Sequence, residues 1–305
     1  MDQILSMRVF ARVVEAGTFT KAAESLDMPK GTVTKLVQHL EARLKVKLLN
    51  RTTRRVMVTP EGAAYYERTL RLLNDLDDIE ASMSNAQVKP SGRVRVDVGS
   101  SVARLIIIPA LPDFYAKFPD IQLDLGVSDR PVDMVTENVD CVLRAGDLME
   151  QSLVARRIGN IGLVTVASPD YIRRHGEPTH PQQLDQDGHR TVNYFSARTG
   201  RPYPHEFVKG GEQLEISGRY QVSVNESNAH IAAVLAGLGV GQTAAFSAAP
   251  YIASGEMVEV MKDWTRPALP IYVVYPPNRH LSAKVRAFVD WAAELFARRA
   301  DLQSR

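Results

Sequence analysis

GTFTKAAESLDMPKGTVTKLVQHLEARLKVKLLNRTTRRVMVTPEG, residues 17–62, reads as two short helices joined by a tight turn, then a basic hairpin and the start of a long helix. The second helix, expected over 30–44, carries Val33, Leu36, Val37, Leu40 and Leu44 at intervals that form one apolar stripe. Lys30, Thr32, Thr34 and Lys35, with Pro29 just before them, crowd the other face at its N-terminal end. Hydroxyls and cations there suit phosphate oxygens and base edges in a major groove of double-stranded DNA. A helix that packs by one face and reads by the other defines a helix-turn-helix. Thr20 is positioned to cap the first of the two helices, and Thr18 and Thr20 to touch phosphate. Arg51, Arg54 and Arg55 flank the hairpin turn, as in a wing laid over phosphate or minor groove. For these arginines the plainer alternative is a solvated charge run.

Upstream, residues 3–16 are expected to be helical, burying Leu5 or Ile4 with Val9, Phe10, Val13 and Val14, and stopping at Gly17. Downstream, Thr59-Pro60-Glu61 is a helix start: a cap, a proline at the first position, and an acid at the positive dipole end. After Tyr66, a narrow stripe of Leu70, Leu73, Leu76, Ile79 and Met83 predicts a long helix reaching about residue 87. Such a stripe points to pairing with the same helix of another subunit. Lys89-Pro90-Ser91-Gly92 reads as a linker.

From Arg93 strands alternate with helices. Val94, Val96 and Val98 alternate, and Gly99-Ser100-Ser101 opens a helix ending before Phe118-Pro119. Ile121, Leu123, Leu125 and Val127 make a strand, Ser128-Asp129-Arg130-Pro131 starts a short helix, and 141–143 is a third strand. That order predicts a parallel sheet in an α/β domain. A second α/β unit begins near Leu163 and includes a KGGE turn at 209–212 and a helix over 227–236. A strand over 271–275 and a helix over 281–299 close the chain.

The net charge of +2 hides an asymmetry. Residues 1–60 hold eleven Lys and Arg against five Asp and Glu, so this part carries +6; the remaining 26 basic and 30 acidic residues carry −4. A basic head on a mildly acidic body points to a polyanionic partner for the head alone. The single cysteine, Cys141, excludes an intramolecular disulfide and sits among apolar neighbours, where a core role is expected. Trp264 and Trp291 are expected to pack. The first residues lack the pattern of a signal peptide, and no run approaches the ~18 apolar residues of a membrane span, so a cytoplasmic protein is expected.

Motifs for chemistry are lacking. Gly237-Leu238-Gly239-Val240-Gly241 leaves a helix and enters a strand, the reverse of a dinucleotide loop. The seven histidines show no metal-binding spacing, and no nucleophile elbow or P-loop occurs. No cofactor, metal or catalytic residue is expected. A solute-binding protein without DNA function is the competing class, disfavoured by the basic head.

FTKAAESLDM, VTKLVQHLEARL, LLNRTTRRVMVTPEG, VDMVTENVDCVLRAGDL, SLVARRIG, ASPDYIRRHG, LAGLGVGQ and VYPPNRHLSAKVRAFVDW together resemble the LysR-type transcriptional regulators over essentially the whole length. The resemblance implies a winged helix-turn-helix over 1–59, a dimerising linker helix over 60–88, and an effector domain over 89–305. That domain resembles periplasmic binding proteins, with lobe I at 91–161 and 267–305 and lobe II at 162–266. It further implies a homodimer or homotetramer and a small-molecule effector held between the lobes. Ser100 and Ser101, at a helix start that favours an anion, and Ser128, at a strand end, would face that cleft. Phe195, Asn225, Gly241 and Thr243 would face them from lobe II. The plainer role for each serine is a helix cap or loop hydroxyl, and for Arg144 an internal salt bridge. Lys30-Gly31-Thr32 stands where the family commonly has Gln-Pro-Ala, and Lys35 where it has arginine, so base preference does not carry over.

Overall fold

The computed structural model describes residues 2–51, 56–83, 89–134, 136–146, 153–185, 188–277 and 281–303. The chain forms two compact units, Met1–Val88 and Lys89–Arg305. Arg54, Arg55 and the expected end of the long helix near residue 87 lie outside the described residues, as do the side chains of Arg51, Ile79 and Met83.

In the first unit, helix α1 (Gln3–Ala16) is capped by Asp2, whose carboxylate accepts from the Ile4 and Leu5 amides, and stops at Gly17 with φ 67°. Val9, Phe10 and Val13 are buried. Ile4 and Leu5, expected inside, are instead 39% and 38% exposed. The buried face runs through Ser6, whose hydroxyl donates to the Asp2 carbonyl at 2.8 Å. Helix α2 (Phe19–Ser25) begins two residues earlier than Thr20 could cap; the cap is Thr18, whose Oγ1 accepts from the Lys21 amide at 3.2 Å. Helix α3 (Lys30–Leu44) buries Val33, Leu36, Val37 and Leu40. Leu44, also expected inside, is 37% exposed, because the chain leaves the helix through Lys45 at φ 56°. Strands β1 (Leu49–Arg51) and β2 (Val56–Val58) pair antiparallel. Helix α4 (Pro60–Met83) then starts as expected: Thr59 Oγ1 accepts from the Gly62 amide at 2.9 Å. Tyr65 and Tyr66 set their rings edge-on against Phe10, at 5.7 and 6.4 Å, and so close the core.

The second unit holds two α/β lobes. In the first, β3 (Gly92–Val98), β4 (Ile121–Val127), β5 (Cys141–Ala145), β6 (Val154–Ile161) and β14 (Leu269–Tyr275) form one sheet in the order β4-β3-β5-β14-β6. β3 is parallel to β4 and β5, as their order implied, while β14 is antiparallel to both β5 and β6, so the completed sheet is mixed. The reason is topological: β14 re-enters from the second lobe and runs back between strands laid down before it. The short helix expected after Ser128 is absent among the described residues; turns there are held by Arg130 forking onto Glu137 and by Thr136 donating to Asp133.

After β3 the chain is helical from 100 to 117: α5 (Ser100–Val102), a π turn (Ala103–Ile107) and α6 (Ile108–Lys117). Pro109 and Pro112 supply no N–H to this ladder, and the Leu105 carbonyl accepts from Arg299 Nη1 at 3.5 Å instead. Phe114, Phe288 and Trp291 pack together at 5.0–5.9 Å, with Phe288 and Trp291 on α10 (Ala283–Ala297). Cys141 is fully buried, and burial pushes its thiol up, out of reach of ionisation.

In the second lobe, β7 (Leu163–Ala167) pairs antiparallel with β12 (Gly241–Ala244) and β13 (Val258–Glu259). β8 (Thr191–Tyr194) pairs parallel with β11 (Tyr220–Val224). β9 (His205–Lys209) and β10 (Glu212–Ile216) form a hairpin through Gly210 and Gly211, both at positive φ, which explains the expected turn. Ser168 caps α7 (Pro169–His175), Glu226 caps α8 (Ser227–Leu235), and α9 (Ala245–Ala253) follows β12.

His205 lies inside this lobe with Nε2 3.0 Å from Asn193 Oδ1, and burial pushes its pKa down to about 3. The unfolded chain takes up that proton near its ordinary value of about 6.5. Its contribution is therefore complete above that pH and is lost as pH falls toward about 3, by about 1.4 kcal/mol per pH unit. Buried His230 is shifted the same way. Urea unfolding at pH 7 and pH 5 is expected to show weaker protein at pH 5, with a shallower dependence in His205→Gln; equal slopes would mean His205 takes up its proton in the folded state as well.

Candidate functional site

Two constellations stand out, one in each unit. The first is the exposed end of α3. Pro29 at its N-cap makes no side-chain capping bond, so the positive end of the helix is open to an anion. Lys30 and Lys35 are exposed there, and Thr32 and Thr34 half-buried. Thr20, Pro29 and Lys30 share one shallow depression with Ala23, Glu24, Asp27 and Met28. Glu24 and Asp27 set two acids on its wall beside the Lys30 cation. Thr18 spends its hydroxyl lone pair on the Lys21 amide, leaving its proton to donate. Arg51 ends β1.

Sequence reasoning missed the brace that aims this helix. Glu41 is 5% exposed, and its Oε1 accepts from the amides of Leu48 and Leu49 at 2.9 and 3.2 Å, while Lys47 Nζ lies 3.4 Å from Oε2. It ties the far end of α3 to β1. The available signal was an acid beside Leu40 on the buried side of the stripe.

The second constellation joins the two lobes of the larger unit. Ser100 and Ser101 open α5, as expected. The Ser100 amide donates to Asp129 Oδ1 at 2.6 Å, and Asp129 Oδ2 accepts from the Ser227 amide at 2.6 Å and the Tyr194 hydroxyl at 3.0 Å. The Ser101 amide donates to Ser227 Oγ at 3.1 Å, and Arg104 Nη1 to Asn228 Oδ1 at 3.3 Å. Burial, then the charge of Asp129, push the Tyr194 phenol up, which keeps it a donor. For Glu226 burial works upward, yet bonds from the Asn228 and Ala229 amides, the Asn228 side chain and the Ser100 hydroxyl leave its carboxyl below the ordinary value.

The remaining expected residues are spread more widely. Ser128 Oγ is buried and has no hydrogen-bond partner among the described residues. Asn225 is exposed and accepts from the Tyr194 hydroxyl through its carbonyl at 3.0 Å. Phe195 is half-buried, its amide donating to the Val224 carbonyl at 2.8 Å. Thr243 is buried in β12 opposite Val164, and Gly241 backs onto α8, where a Cβ would lie 2.7 Å from His230 and Val234 atoms. Arg144 pairs with buried Asp97 and donates to the Arg130 carbonyl at 3.0 Å, the internal role. Asp129, Tyr194 and Ser227 were not legible as a group, since their contacts span up to 98 positions of sequence. Among the described residues, no cluster of three or more His, Cys, Asp or Glu could hold a metal ion.

Residues 4–63 match the family described as bacterial regulatory helix-turn-helix protein, lysR family, and residues 87–297 match the LysR substrate binding domain. The chain is 38% identical to an HTH-type transcriptional repressor of Pseudomonas aeruginosa strain UCBPP-PA14, over 99% of this chain and 95% of that protein. It is 35% identical to the regulator YhjC of Escherichia coli, over 96% and 97%. Among solved structures it is similar to CrgA of Neisseria meningitidis (TM-score 0.60, 29% identity, 95% of this chain and 98% of that one). It is also similar to full-length AphB of Vibrio cholerae (TM-score 0.59, 28% identity, 96% and 99%).

Proposed function

This chain belongs to the LysR family of DNA-binding transcriptional regulators, which are not enzymes, and from that premise we propose how it reads DNA and what it senses. Residues 1–59 dock on double-stranded DNA. Lys30, Thr32, Thr34 and Lys35 of α3 lie in the major groove, with Thr18, Thr20 and Pro29 beside the backbone. Arg51, Arg54 and Arg55 of the wing lie over phosphate or minor groove. Residues 60–88 pair two subunits, so that a homodimer, or a tetramer built from two, spans half-sites related by a two-fold axis. In residues 89–305 an organic anion is the effector, held between lobe I (91–161 and 267–305) and lobe II (162–266) by the surroundings of Ser100, Ser101, Ser128, Phe195, Asn225, Gly241 and Thr243.

The observation that carries the DNA reading is the open, lysine-bearing end of a helix whose opposite face buries Val33, Leu36, Val37 and Leu40. Lys35→Ala is expected to weaken operator binding and lower the slope of log affinity against log salt by about 1. An unchanged slope would show that Lys35 meets no phosphate. The effector acts only through its different affinity for two arrangements of the protein. Melting of the full-length protein with small aromatic and aliphatic carboxylates is expected to single out a few that raise the transition; a screen in which none does counts against an organic anion. Among the described residues no helix is long and apolar enough to cross a membrane, and we propose action in the cytoplasm, where the DNA is.

A further inference from the structure

We propose that Asp129 is a resident anion, holding the seat between the lobes that an effector's carboxylate would take and latching the lobes together until it is displaced. This rests on the reading that the effector is an organic anion bound in that cleft. Asp129 follows β4 in lobe I and is half-buried. Its carboxylate collects the Ser100 amide from lobe I, and the Ser227 amide and Tyr194 hydroxyl from lobe II. An ordinary helix cap immediately precedes its own helix. Asp129 instead lies 29 positions after Ser100 and 98 before Ser227, so this set of bonds exists only while the lobes meet here.

Local capping does not account for it either. Helix α8 already has its own cap in Glu226, which takes the Asn228 and Ala229 amides at 3.0 and 2.7 Å. The Ser227 amide is left over for a second acid, and Asp129 supplies it. The contacts beside it, Ser101 to Ser227 and Arg104 to Asn228, close the same edge. Charge-assisted bonds from two backbone amides and a phenol are what a small carboxylate ligand would itself seek. With Asp129 in place and Glu226 beside it, an incoming carboxylate meets like charge and finds the Ser100 amide, the Ser227 amide and the Tyr194 hydroxyl already taken. Binding therefore requires Asp129 to leave, and the incoming carboxylate takes over the Ser100, Ser227 and Tyr194 donors. That couples occupancy of the seat to release of the chain after β4 from lobe II, and it makes Asp129 the residue that sets which anions are strong enough to compete.

Acetate carries the same carboxylate as the aspartate side chain and serves as the probe. Full-length wild type, Asp129→Ala and Asp129→Asn are melted in sodium acetate and in sodium chloride of equal ionic strength, and amide exchange is followed across 225–235. Asp129→Ala is expected to melt below wild type, to lose protection at the start of α8, and to regain both saturably with acetate but not chloride. Its apparent acetate affinity should exceed that of wild type by about tenfold or more, the scale of charge-assisted bonds vacated by one side chain. Equal acetate responses in wild type and Asp129→Ala, or no change in exchange at α8, would overturn the proposal. Should Asp129→Ala fail to fold, Asp129→Asn decides: its isosteric amide is expected to fold, exchange faster at Ser227 and respond more strongly to acetate, and behaviour equal to wild type would overturn the latch. Acetate rescue of Asp129→Ala beside a wild type that answers to no carboxylate would leave the latch standing and remove the organic-anion effector.

Discussion

Gly62→Ala is expected to cost the N-terminal unit about 3 kcal/mol or more and to abolish specific DNA binding. A Cβ on Gly62 would lie 2.0 Å from the Leu48 carbonyl oxygen, 2.9 Å from its carbon and 3.0 Å from Val58 Cγ1. The obstacle is backbone, and it is pinned. The Leu48 carbonyl already accepts from the Thr59 amide at 3.0 Å and the Thr59 hydroxyl at 3.1 Å, and the Leu48 amide is held by Glu41. Alanine's higher helix propensity returns only about 1 kcal/mol in α4, so the sign is not in doubt. Circular dichroism of the full-length variant should show an early transition belonging to the helical unit, with anisotropy on operator DNA reduced to non-specific binding. A melt matching wild type would mean that the Leu48 carbonyl and α4 do not approach this closely.

Glu41→Ala is the second large effect, and it separates the brace from the reading face. Removing the carboxylate leaves the Leu48 and Leu49 amides without their acceptor in a site where both residues are 2% exposed. An orphaned buried donor costs about 1–3 kcal/mol, so two cost about 2–6 kcal/mol. Glu41→Gln keeps a carbonyl acceptor and should lose much less. Denaturant unfolding is expected to rank the proteins wild type, Gln, then Ala, with operator affinity in the same order. Lys35→Ala, by contrast, should lose DNA affinity at unchanged stability, because Lys35 is exposed. Equal stabilities of the Ala and Gln variants would show that the carboxylate does not anchor β1.

What could be read from sequence was whatever depends on near neighbours. The stripe of Val33, Leu36, Val37 and Leu40 has helical period, and Thr59-Pro60-Glu61 carries its helix start within three residues, so both were plain. Gly17 needed only its left-handed φ to end α1. The misreadings are equally physical. Thr18 and Thr20 are both good caps, and the choice turned on where Phe19 enters the core. Leu5 lost its place to Ser6 because hydropathy alone does not fix the phase of a short helix. The parallel order of β3, β4 and β5 could be read from their spacing, whereas the direction of β14 depends on the route back from the second lobe. Glu41 and Asp129 were invisible as functional groups, since a lone acid declares its partners only when the chain has folded round it.

The most direct measurement is an anisotropy titration of the full-length protein against labelled duplexes tiling the DNA upstream of its own gene, at fixed near-physiological salt. One duplex containing an imperfect inverted repeat should bind about 1,000-fold tighter than random DNA of the same length, and Lys30→Ala with Lys35→Ala should erase that preference. Binding that is equally weak on every duplex, or that is indifferent to both lysines, would contradict a duplex-reading role for the exposed end of α3.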